Sequence, residues 1–352
     1  MVTTEIKTTD MPRKGIETIK LTNASGASVT LCNVGAALVA ACVPDRDGKM
    51  ADVVLGYPEP GSYFYDGPCA GKVPGRFANR IAKGDLNVGG KHYQLAINNG
   101  PNALHGGPEG FQNQVWKAET ATGEHSATVT FTYVAKDGEE NYPGELTAKA
   151  VYTWDDDNVL TLKLEATTDA ETVVNLTNHA YFNLAGESAG SVLDQLLQLN
   201  ASRFLPTDKD LIPTGELAPV AGTPMDFTAP HAIGRDIKAD FEPLTFGKGY
   251  DHCFVIDNWA PGKEQTVAVL SDPASGRVLE VTSDQPGIQV YTGNWLAGCP
   301  EGKSGRGYED YDGVALECQG FPDSPHHPHF PQAWLKPGEK YERVIRFKFS
   351  TK

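Results

Sequence analysis

The sequence of 352 residues predicts an all-β protein, a large antiparallel β-sandwich in a single domain spanning residues 1–352. Three observations predict it. Apolar and polar residues alternate with period two in run after run. Turn-forming residues stand between those runs. No segment sustains a 3.6-residue apolar period over a dozen positions.

The clearest runs are "ELTAKAVYTW" and "VLTLKLEAT". The first puts Leu146, Ala148, Ala150, Tyr152 and Trp154 on one face and Thr147, Lys149 and Thr153 on the other. The second sets Leu160, Leu162, Leu164 and Ala166 against Thr161, Lys163 and Glu165. "HYQLAIN", "ATVTFTYV", "TVAVLS", "RVLEVTS", "GIQVYTG" and the closing "YERVIRFKF" are further strand candidates. Asp47-Gly48, Gly89-Gly90, Lys136-Asp137-Gly138, Ser275-Gly276 and Pro337-Gly338 supply the turns. No composition break, linker or repeat divides the chain. The Pro/Gly-dense stretches 58–75, 205–234, 298–313 and 320–331 read as long surface loops, where function concentrates on a rigid β scaffold.

Composition narrows the function classes. With 40% hydrophobic and 21% charged residues, the chain is that of an ordinary soluble globular protein. A formal net charge of −15, with no basic stripe, argues against nucleic acid as a partner. No apolar run is long enough for a signal peptide or a membrane span, so no membrane partner is expected. The six cysteines form no CxxC pair, and free thiols fit a reducing, cytoplasmic setting. Neither heptads nor an apolar surface patch can be read, which leaves monomer and homodimer open.

Five segments place ionisable or amide side chains where strand or loop logic does not need them: 75–84, 98–107, 175–184, 247–254 and 313–322. Each has a plain structural reading. Arg76 and Arg80 could be solvated surface arginines, His105 could cap the turn at Gly106-Gly107, Asp251 could form an Asx turn, and His179 could be a core histidine. Together, Glu317, His179, His105, Asp251, Asn79 and Arg80 make the set of groups that a pocket for a polyhydroxylated ligand requires. Amide, Arg and Asp groups hold hydroxyls, and aromatic faces such as Tyr181 cover the apolar side of a ring.

Rival chemistries have weaker support. His326, His327 and His329 in "HHPH" offer three imidazoles, but neighbouring side chains around Pro328 point apart rather than converge on a metal. There is no G-x-S-x-G elbow, P-loop or dinucleotide fingerprint. Glu317 and Asp251 could serve as a glycosidase pair, which their carboxyl separation would decide.

The segments "GRFANRI", "NNGPNALHGG", "NHAYFNL", "GYDH", "PGIQVYTGN" and "ALECQGFPDS-HHPHFP", in that order from about residue 15 to the C-terminus, resemble the aldose 1-epimerases (galactose mutarotases). The resemblance implies a β-supersandwich, no cofactor and no metal, and interconversion of the α and β anomers of free hexoses, monosaccharides such as galactose and glucose. It implies Glu317 as catalytic base and His179 as general acid. It implies Asn79, Arg80, His105, Tyr181, Asp251, Gln289 and, from the same motif as Arg80, Arg76 as sugar contacts. The chemistry then asks for an ionised Glu317 beside a protonated His179, with His105 or Arg80 near the ring oxygen. Two alternatives share the fold. A hexose-6-phosphate mutarotase would need arginines such as Arg203, Arg235 and Arg306 converging on a phosphate, and a non-catalytic sugar-binding module would lack the acid or the base.

Overall fold

Period-two alternation becomes sheet where the sequence predicts it. A computed structural model describes all residues 1–352. Strands Leu146–Asp155 and Val159–Thr168 pair antiparallel, burying the Leu/Ala/Tyr/Trp set of the first and the Leu/Ala set of the second. They form the middle of a nine-stranded sheet. Outward on one side lie Ser126–Ala135 and Lys117–Thr122; on the other lie Tyr341–Thr351, Arg277–Ser283, Gln265–Ser271, Leu196–Leu199 and His231–Ala232. The Gly89-Gly90 pair turns a small hairpin, and both residues have the positive φ (56° and 82°) of a primed two-residue turn.

Two further sheets complete the sandwich. An N-terminal meander of five strands runs from Thr3–Thr9 to Met50–Asp52. A six-stranded sheet takes the order Tyr181–Phe182, Val314–Gln319, Gly287–Tyr291, Asp251–Val255, Arg203–Phe204, Ala218–Pro219. The main core draws on all three sheets: Leu21 and Val29 from the first, Leu162 and Phe347 from the second, Val290 and Leu316 from the third. The only α-helix is the six-residue Glu242–Gly247.

The six-stranded sheet positions the site. Strand Val314–Gln319 is buried at every position, which a half-solvated strand would not be. Val314, Leu316 and Cys318 enter the main core, whereas Glu317 belongs to the alternate set and faces away from it. Gly287–Tyr291 repeats the arrangement, with Ile288 and Val290 in the core and Gln289 and Tyr291 on the other face. Register places Gln289 opposite Glu317 and Cys253, and Tyr291 opposite Ala315 and Asp251, while Tyr181 pairs with Ala315. A single sheet face thereby gathers Tyr181, Glu317, Gln289, Tyr291 and Asp251.

Candidate active site

That face floors a cavity of about 570 Å³ whose wall includes Asn79, Arg80, His105, His179, Tyr181, Asp251, Tyr291 and Glu317. The volume is within the range of small-molecule sites. Seven of the nine predicted site residues therefore meet in one place: Glu317, His179, Asn79, Arg80, His105, Tyr181 and Asp251.

Glu317 and His179 form the centre. His179 Nε2 lies 3.5 Å from Glu317 Oε1, and the two side chains are almost fully buried. The second oxygen of Glu317 and the Nδ1 of His179 have no protein partner. His179 is held by its backbone: its N–H donates to the Lys72 carbonyl at 2.8 Å, and its carbonyl accepts from Gly71 N–H at 2.9 Å. Asn178 fastens the same segment, its Nδ2 donating to the Gly71 carbonyl and the Tyr152 hydroxyl. Lys72 is pinned in turn beneath the cavity by Asp66 Oδ1 and the Tyr63 carbonyl, both at 2.6 Å.

His105 comes from the opposite wall. Its Nδ1 accepts the Asn79 backbone N–H at 3.0 Å, so in the neutral ring the proton resides on Nε2. Its own N–H donates to the Asn79 carbonyl at 3.1 Å, closing a reciprocal clasp. The two segments approach so closely that a Cβ on Gly106 would stand 2.0 Å from the Gly75 carbonyl oxygen; only glycine fits there. The His105 ring meets His179 edge to face at 5.3 Å.

Arg80 donates from Nε to Asn99 Oδ1 at 3.0 Å and lies 3.9 Å from Asp251 Oδ2. Asp251 Oδ1 accepts from Gln289 Nε2 at 2.7 Å. Gln289 thus stands behind Asp251 rather than on the cavity wall, because its strand register directs the amide onto that carboxylate.

Arg76 corrects the sequence reading. Its guanidinium turns away from the cavity and donates to the carbonyls of Pro143 (2.6 Å) and Gly144 (2.9 Å) and to Thr172 Oγ1 (3.1 Å), 5.6 Å from the centre of the Tyr142 ring. The backbone between Arg76 and Arg80 is not strand, so proximity in sequence does not carry both to one face.

The loop with the three histidines is not on the cavity wall either. His326 Nδ1 bonds Asp323 Oδ1 at 2.6 Å, and His329 Nε2 donates to the Gly215 carbonyl at 2.8 Å. The loop clamps the Arg80 strand instead: Asp323 N–H donates to the Arg80 carbonyl, and Asp323 Oδ1 accepts from Ala82 N–H, each at 2.8 Å.

Protonation also differs from expectation. Burial pulls His179 down to about 4 and pushes Glu317 well above the usual carboxylate range, with Asp251 adding to the rise and Arg80 opposing it. Burial thus disfavours the charged form of both groups, the imidazolium and the carboxylate alike. Burial likewise drives His105 well below its ordinary value.

Several wall residues went unassigned in the sequence reading. Tyr291 was legible, since it follows Gln289 by two on a strand. Trp295, stacked on Tyr291 at 6.4 Å, and Asn99, which orients Arg80, gave no periodic signal. Asp66 comes from the 58–75 loop.

A β-sandwich whose sheet face sets a buried carboxyl and imidazole among amide, aromatic and Arg/Asp groups has the chemistry of a carbohydrate-handling protein. Residues 17–348 match the family model described as aldose 1-epimerase. A galactose mutarotase from Bos taurus is 44% identical over 322 residues, covering 92% of this chain and 91% of that protein. An aldose 1-epimerase from Escherichia coli K12 is 37% identical, covering 94% of each. A solved galactose 1-epimerase from Lactobacillus acidophilus superposes with a TM-score of 0.87 at 30% identity, covering 100% of this chain and 99% of that one. The chain belongs to the aldose 1-epimerase family. It is a mutarotase, an isomerase that interconverts sugar anomers.

Proposed function

We propose that the chain acts on free hexoses, galactose and glucose foremost, with Glu317 as the base at the anomeric hydroxyl and His179 as the acid at the ring oxygen. The observation that carries this reading is the near-contact of His179 Nε2 and Glu317 Oε1 at 3.5 Å, with unpartnered polar atoms on both side chains. Such atoms are costly to bury unless a ligand completes them.

The bound sugar supplies the missing bonds. The anomeric O–H donates to Glu317 and stabilises its carboxylate; the ring oxygen accepts from His179 Nε2 and stabilises the imidazolium. The proton that burial leaves on Glu317 thereby moves to His179 without leaving the pair. Glu317 then takes the hydroxyl proton as His179 protonates O5, the C1–O5 bond opens, and the aldehyde turns about C1–C2. Reclosure returns both protons with C1 inverted. His105 Nε2–H and Arg80 are the donors nearest in character to what charge on O5 needs. Phosphosugars are disfavoured: Arg235 and Arg306 are tied to Asp236 and Asp312, and neither these nor Arg203 lines the cavity.

No helix is long and apolar enough to cross a membrane, and the six cysteines are all unpaired, which supports a cytoplasmic location. Polarimetry on fresh α-D-galactose and α-D-glucose tests the assignment. Wild type should speed equilibration equally with and without chelator, and Glu317→Gln and His179→Asn should each lose most of the rate. Near-normal turnover in either variant would remove that residue from its role.

A further inference from the structure

Strand Thr3–Thr9 forms one edge of the five-stranded meander and pairs only with Ile16–Thr22. Its outer row of backbone N–H and C=O groups faces no partner strand, and such a row is a template for another chain. Among the edge strands of the three large sheets, only Thr3–Thr9 and Lys117–Thr122 are longer than three residues. Two usual guards against edge pairing are missing from Thr3–Thr9. It holds no proline, and its register with Ile16–Thr22 runs through without a bulge. Thr3, Glu5, Ile6, Lys7 and Thr8 are all exposed, Ile6 at 50%. The Thr4 hydroxyl touches that of Thr122 at 2.9 Å, a side-chain tie that leaves the outer backbone free.

Two charges stand on the strand, and charges on an edge ordinarily repel a second copy. Here their order reverses that effect. The segment reads "TTEIKTT", the same in either direction apart from the exchange of Glu for Lys. Laid antiparallel on itself about Ile6, it sets Thr3 against Thr9, Thr4 against Thr8 and Glu5 against Lys7 on both sides of a central Ile6 pair. Opposite-charge, Thr–Thr and apolar pairs are the ones that stabilise neighbouring strands. Neither Glu5 nor Lys7 takes part in an ion pair within the chain, whereas on the other long edge Lys117 Nζ is held by Glu119 at 2.7 Å. The strand is also electrically neutral in a chain of net charge −15, so two copies meet there without the repulsion that the acidic surface carries.

We propose that Thr3–Thr9 is a self-pairing edge through which two copies of this chain form a two-fold dimer. The two five-stranded meanders then become one continuous sheet with Ile6 on the axis. None of the seven residues lines the catalytic cavity, so the pairing is independent of the chemistry there.

Sedimentation velocity on the full chain, in about 0.15 M salt and from about 1 to 200 µM protein, reads the association. Two paired strands make a small interface, for which a dissociation constant on the order of 10 µM is expected. Glu5→Lys and Lys7→Glu each set like charges opposite each other twice and should raise that constant at least about tenfold. Glu5→Lys also faces Lys20 across the meander, so Lys7→Glu, which faces Thr18, is the cleaner single change. Mixed one to one, the two variants should dimerise again, because each then meets its opposite charge. The double variant carrying both changes should dimerise by itself, and circular dichroism should match wild type throughout. A wild type that stays monomeric across the range would overturn the self-pairing edge. So would a dimer that both charge variants retain, since the contact would then lie elsewhere. A mixture and a double variant that both stay monomeric would overturn it as well, because the Glu5–Lys7 register would be wrong.

Discussion

Arg76 and Arg80 lie four residues apart, both buried, yet belong to opposite kinds of environment. Arg76 is tied down: two carbonyls and a hydroxyl accept from its two terminal nitrogens, and burial lowers it only to about 10, so it stays charged. Arg80 makes one side-chain hydrogen bond, to Asn99, and a loose approach to Asp251. The contrast extends to their surroundings. The Arg76 guanidinium finds its acceptors within the chain, whereas one polar atom on each of Glu317 and His179 finds no partner there. Burial alone therefore does not mark function; unpartnered polar atoms beside a cavity single out Glu317 and His179, whereas those of Thr177, Gln319 and His252 lie off its wall.

Substitutions should separate the two regions. The largest effect is expected for Glu317→Gln, which should cut kcat by roughly 10²–10⁴-fold while circular dichroism shows an intact fold. Arg76→Ala should do the reverse. It orphans two buried carbonyls and should lower the unfolding free energy by about 3 kcal/mol in urea titration, with kcat/KM per folded molecule unchanged. A loss of turnover without loss of stability would break the comparison. Arg80→Ala should raise KM for galactose about tenfold, ~1.4 kcal/mol, with stability nearly unaltered.

The pH response sharpens the contrast further. The protonated-Glu317 and protonated-His179 forms of the pair hold the same single proton, so both populate one pH window. Below about pH 4 His179 gains a second proton; above the raised value of Glu317 the single proton is lost. The acid limb of kcat/KM should therefore fall near pH 4, not near 6.5, in a polarimetric profile. Stability should show a smaller effect of opposite origin. His105, His179 and His252 all stay neutral in the fold below their unfolded value, so acid favours the unfolded chain as pH drops from about 6.5. Glu317, protonated in the fold above its unfolded value, offsets one of the three. The melting temperature should fall between pH 6.5 and 4, and Glu317→Gln should steepen that fall.

Much of this was readable beforehand because period two ties side chains to faces. The long strands of the nine-stranded sheet followed from alternation, and Glu317 stood out as an ionisable residue in an apolar strand. The motifs drew His179, His105, Asn79, Arg80 and Asp251 together. The failures share a cause. Arg76 was misplaced because a non-strand backbone has no face rule to carry it. Trp295 and Asp66 arrive by loops whose course is set by distant contacts, such as the Tyr181 hydroxyl donating to the Pro68 carbonyl. The protonation of Glu317 and His179 was not legible, because sequence shows which ionisable groups meet but not how dry their meeting place is.

Strand Val314–Gln319 has one further consequence, for anyone wishing to rebuild this protein. Its two faces serve two masters, so its alternate positions are separable dials. Ala315 packs in a smaller apolar cluster with Tyr181, a cavity-wall residue, and Leu316 packs in the main core. A deletion or insertion of one residue turns both dials at once: Glu317 would trade places with a core neighbour, and a buried carboxyl would be driven among Val290, Leu316 and their partners. Point substitution in this strand thus addresses one face at a time, which a change of length cannot do.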